Sequence, residues 1–95
     1  MREDIVKWVA ALRSGDYRQG YDSLNHITPN GQSYCCLGVY KKVCLKTFDP
    51  LPYAQVYDQL GYVNCQDFMK ANDSRHVDFN EMADIIEERF AMKDL

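Results

Sequence analysis

This 95-residue sequence has no run of about eighteen consecutive apolar residues and no apolar segment of signal-peptide type. That excludes a membrane-spanning helix by hydropathy and points to a cytosolic protein, as does the opening Met1-Arg2-Glu3-Asp4. Basic charge is also short: eleven Lys and Arg stand against fourteen Asp and Glu, a net charge of −3. A chain of that sign is a poor candidate for sequence-independent DNA binding, which needs cations against phosphates. Glycine-rich phosphate loops, the zinc-protease His-Glu-x-x-His and the Gly-x-Ser-x-Gly nucleophile elbow are all missing from the sequence. With no recognisable catalytic arrangement, a non-enzymatic protein without a cofactor is expected.

What is present suits one small folded domain spanning 1–95. The apolar fraction is 46% and the aromatic fraction 13%, with seven Tyr against a single Trp. Tyrosine has an apolar ring and a polar tip, so it serves core edges and partner surfaces alike. Charge is unevenly divided. Residues 1–47 carry seven basic and four acidic side chains, whereas residues 48–95 carry four and ten.

Hydrophobic spacing predicts a mainly helical α+β fold of about four helices with a short β-hairpin. Ile5, Trp8, Val9 and Leu12 form one apolar stripe over residues 2–14, and Gly15 can close that helix in the left-handed conformation. Residues 16–23 read as a polar loop. Asn30-Gly31, preceded by Pro29, marks a hairpin between Leu24–Thr28 and Gln32–Cys35. A second helix is expected over 36–46, with Cys36, Val39, Tyr40, Val43 and Cys44 on one face and Lys41 and Lys42 opposite. Gly38 within it suits a close backbone approach by the first helix. Asp49-Pro50-Leu51-Pro52 breaks the chain, and a third helix runs 52–60 to Gly61. Residues 62–64 read as a connector and 66–71 as a short helix or turn. The last helix starts at Asp78 with Glu81 three residues on, and buries Phe79, Met82, Ala83, Ile86 and Phe90. Its Glu87, Glu88 and Arg89 are expected to face water, as are Asp84 and its neighbouring carboxylates.

The Tyr34–Val39 segment, Tyr-Cys-Cys-Leu-Gly-Val, reads as core rather than chemistry. Adjacent Cys35 and Cys36 cannot readily aim two sulfurs at one zinc ion, and Cys36 and Cys44 lie about two helical turns apart. A Cys35–His26 pair oriented by Asp22 has only hairpin proximity behind it. No metal site is expected, and the cysteines read as free thiols in a reducing compartment.

The polar stretch leaving the first helix is the more promising surface. Arg13, Tyr17, Arg18 and Gln19 could meet a phosphate, a carboxylate or a base, with Tyr34 as a stacking partner. The same residues also read as an ordinary polar helix end. Asn72 and Asp73 form a second cluster, suited to a partner contact or to turning the chain into the last helix.

Three segments resemble an uncharacterised family of small bacteriophage and prophage proteins. They are Lys7–Gly15 with Tyr17 and Gln19, Tyr34–Val39, and Ala71–Asp73 followed by Phe79–Glu87. Leu51-Pro52 leading into Leu60-Gly61 fits the same pattern. The resemblance implies a phage-encoded accessory protein in the cytoplasm of the infected host, binding and inhibiting or redirecting a host protein, with a defence or nucleic-acid-handling system as the expected target. Two other readings stand beside it: a binder that sequesters a nucleotide signal through Arg13, Arg18, Tyr17 and Tyr34, and an oligomeric structural or regulatory phage protein.

Overall fold

A computed structural model describes residues 2–20, 25–28, 31–45 and 52–91. Its elements run α1 (Glu3–Ser14), β1 (Arg18–Gln19), β2 (Asn25–Thr28), β3 (Gly31–Tyr34), α2 (Cys36–Tyr40), a π-helical segment (Lys41–Leu45), α3 (Pro52–Leu60), α4 (Tyr62–Asp73) and α5 (Phe79–Ala91). The domain is mainly helical α+β, as the hydrophobic spacing implies.

The core centres on Trp8. Its ring is fully buried, meets Tyr40 edge-on at 5.2 Å and Phe68 at 5.7 Å, and donates its indole N–H to the Cys36 carbonyl at 2.8 Å. One side chain thereby joins α1, α2 and α4. The predicted stripe of α1 is buried, as is every predicted core residue of α5. These two helices make the most extensive helix–helix contact among the described residues. Cys35 to Val39 are buried and Tyr34 is half-buried, so the Tyr34–Val39 segment is core. Gly15 closes α1 with φ 79°, and Asp78 accepts the Glu81 backbone N–H at 2.8 Å at the start of α5.

Four local expectations need correction. First, the loop over 16–23 contains β1, which pairs in parallel with β3 through Arg18↔Ser33 and Gln19↔Tyr34. With β2 antiparallel on the other side, the hairpin becomes a three-stranded sheet in the order β1-β3-β2. A two-residue strand has no alternation to announce itself. The expected turn at Pro29-Asn30, residues 21–24 and the break at Asp49-Pro50-Leu51 lie outside the described residues.

Second, the helix expected over 36–46 changes winding at Lys41. Cys36, Val39 and Tyr40 are buried, whereas Val43 and Cys44 are half-buried on the wider π-helical turn.

Third, residues 62–73 form one continuous helix rather than a connector and a short helix. Its buried stripe, Asn64, Cys65, Phe68, Ala71 and Asn72, has regular helical spacing but includes two asparagines, which masks it in a hydropathy pattern. Gly61, at φ 92°, is the one residue separating α3 from α4. With α4 counted, five α-helices are described, in keeping with the expected mainly helical α+β fold.

Fourth, the carboxylates and arginine of α5 are not a uniformly solvated face. Glu88 is exposed, but Asp84, Glu87 and Arg89 bind side chains of α1 and α4.

Candidate functional site

The predicted site residues divide into three groups. Arg13 sits at the end of α1, where its guanidinium donates to Glu87 at 2.7 and 3.2 Å and to Asp84 at 2.5 Å. These contacts raise the Arg13 pKa and hold the Glu87 carboxyl below its ordinary range. Arg13 is thus an α1–α5 clip, and its donors are committed to carboxylates rather than turned toward a phosphate.

Gln19 and Asn72, 53 residues apart in the chain, are brought together, with Asp73 bonded to Asn72. The Gln19 amide N–H₂ donates to the Asn72 side-chain oxygen at 3.0 Å and to the Val77 carbonyl at 2.6 Å. Asn72, fully buried, donates in turn to the Gly20 carbonyl at 2.9 Å and to the Asp73 carboxylate at 2.7 Å. This network fastens β1 to the end of α4. The backbone is close at this junction: a Cβ on Gly20 would stand 2.6 Å from the Ser33 hydroxyl, which would have to turn aside.

Tyr17 and Tyr34 form the third group, meeting edge-to-face at 5.5 Å beside exposed Arg18. Arg18 and the tyrosine pair adjoin the Gln19–Asn72 network in sequence, but Arg13 faces α5. The nucleotide reading therefore loses Arg13 as its phosphate ligand, and the polar groups of Gln19 and Asn72 are engaged within the fold.

The thiolate form of the cysteines is disfavoured by burial. Burial pushes the thiols of Cys35, Cys44 and Cys65 up to about 11, and raises that of Cys36 still more decisively. The Cys36, Cys44 and Cys65 thiols donate to the carbonyls of Phe68, Asp4 and Val56. In the hairpin register His26 lies opposite Ser33, two positions before Cys35.

A surface that spacing alone did not single out lies where α3 meets α4. Tyr62 and Val63 are 61% and 70% exposed, the largest exposures among the big apolar residues described; Val6 on α1 follows at 49%. The Tyr62 ring rests edge-on against Tyr57 of α3 at 5.1 Å. The backbone beneath is held firmly. Asn64 donates to the Leu60 carbonyl at 2.7 Å and accepts from Arg89 at 2.7 Å, while Arg89 also reaches Asp67 at 3.1 Å and lies over the Phe68 ring. Gln66 belongs to a shallow open groove along α4, with Met69, Lys70 and Asp73. The sequence clue was available: Tyr62-Val63 directly after a helix-ending glycine are apolar positions off the buried stripe of α4.

Over residues 1–70 the sequence matches the family described as Domain of unknown function (DUF8296). The chain belongs to that family. No curated protein and no solved structure matches it. The DUF8296 match includes the Tyr57–Tyr62–Val63 corner and the Tyr17–Tyr34 pair, and it ends before Asn72 and α5. No described helix is long and apolar enough to cross a membrane.

Proposed function

We propose that this chain is a non-enzymatic phage accessory protein that acts in the cytoplasm of the infected host by binding a host protein and inhibiting or redirecting it. The observation that carries the reading is the α3–α4 corner. Two large apolar side chains stand mostly in solvent on backbone fixed from below by Asn64 and Arg89. Water-exposed apolar area of this kind is stabilised when a partner covers it, and rigid tyrosine lowers the entropy lost on docking. The resemblance to phage proteins in the Lys7–Gly15 and Tyr34–Val39 segments supplies the biological setting. The buried thiols, with raised pKa values, support a binding role over a nucleophilic one.

The test is capture from host lysate on the immobilised chain, with the Tyr62→Ser/Val63→Ser double variant as control. Retention of one host protein in stoichiometric amount by the native chain, and its loss from the variant, is the expected result. Equal retention by both, or no specific retention, contradicts the reading.

A further inference from the structure

Independently of that partner-binding reading, we infer that the Ser74–Asp78 turn is a hinge through which two copies of this chain exchange α5, each laying that helix on the other's α1.

The turn is closed at a conformational cost. His76 sits at φ 52°, in the left-handed region that residues with a Cβ rarely enter. The other described residues of positive φ are both glycines, Gly15 at 79° and Gly61 at 92°. Bonds on either side of His76 hold the reversal. The Arg75 and Val77 N–H groups donate to the carbonyls of Lys70 and Ala71 at 3.2 and 3.1 Å, and Gln19 donates to the Val77 carbonyl at 2.6 Å. The covalent chain does not itself require a break here, because Tyr62 to Ala91 contain neither Gly nor Pro. Opening the turn lets His76 take an ordinary negative φ and lets α4 run on toward α5.

The occupant of the α1 surface is then the same helix from another molecule. α5 buries its apolar stripe against α1 and α4, and its rim is clipped by Arg13 to Asp84 and Glu87 and by Arg89 to Asn64 and Asp67. An α5 arriving from a second copy rebuilds every one of those contacts. Exchange therefore leaves no core uncovered, and the dimer differs from the closed chain only at the hinge. The bonds that close the turn and the entropy of association oppose it. The monomer dominates in dilute solution, and the dimer grows with concentration. Interconversion is slow, because α5 must leave one core before it enters the other.

Size-exclusion chromatography with light scattering, at stepped concentrations of the full chain, provides the test. His76→Gly relieves the closed turn and weakens dimerisation by roughly tenfold; His76→Ile resists the left-handed conformation and strengthens it by a similar factor. Each variant is checked for native folding by circular dichroism. A second measurement leaves the hinge unaltered. A chain with Arg13→Glu is mixed at low salt with a chain carrying Asp84→Arg and Glu87→Arg, and the pair is left to equilibrate. Closed, or paired with its own kind, each chain sets like charges at the α1–α5 clip, whereas a mixed dimer with exchanged α5 helices has two matched clips. Mixed dimers above their statistical share are the expected result. The inference is overturned by a native chain and a folded His76→Ile that both stay monomeric at every concentration. It is equally overturned by equal dimerisation of His76→Gly and His76→Ile, or by mixed dimers at or below the statistical share. If His76→Ile does not fold, the charge-paired mixture decides alone.

Discussion

Asn72 has no water to fall back on: it is fully buried, and its side chain satisfies Gln19, Gly20 and Asp73 at once. Asn72→Leu keeps the volume close and strips every one of those bonds, leaving the Gly20 carbonyl without its side-chain donor. The expected cost is about 2–4 kcal/mol, read from the midpoint of urea unfolding. The thiols act in a different pH range. Cys35, Cys44 and Cys65 each titrate in the folded chain near about 11, above the ordinary thiol value, so the unfolded chain loses those protons first as pH rises. Their contribution to stability is therefore complete below about pH 8.5 and disappears progressively toward about pH 11. Urea unfolding at stepped pH should show this decline, and a Cys35→Ala variant should show a shallower one.

At the scale of elements, the junction of β1 with β3 and α4 has the least room. Gly20→Ala places a Cβ against the Ser33 side chain, beside the Gly20 N–H that donates to the Tyr34 carbonyl at 2.6 Å. A loss of about 1–3 kcal/mol is expected in thermal unfolding, with amide exchange accelerated first at Gly20. The Arg13 clip joins α1 to α5 on the surface, so Arg13→Ala should lower the melting temperature slightly at low salt and hardly at all at high salt. Legibility in the sequence follows the same scale. The stripes of α1 and α5 are written in Ile, Trp, Val, Leu, Phe and Met at helical spacing, and both helices fold as that spacing predicts. In α4 the stripe passes through Asn64 and Asn72, whose burial depends on partners in α3, α5 and β1 that spacing cannot reveal. β1 is legible only through its pairing with β3. Gln19 and Asn72 were visible as polar candidates, but their mutual contact arises from tertiary folding. The exposed corner needed the position of Gly61 and the completed length of α4.

Across the whole molecule, the two ends of the chain serve one scaffold. Trp8 and the α1–α5 contact hold the core, the Gln19–Asn72 network secures the sheet, and Asn64 with Arg89 fixes the corner that presents Tyr62 and Val63. Replacing those two exposed residues by Ser should leave the melting temperature within about 2 °C of native, since neither contributes to the buried core. The central claim is that this corner is the surface a host protein covers. Hydrogen exchange of the chain, free and in complex with the captured host protein, measures that directly. Slowed exchange in residues 54–67 on binding is the predicted result; protection confined to β1 and β3, with 54–67 unchanged, would contradict it.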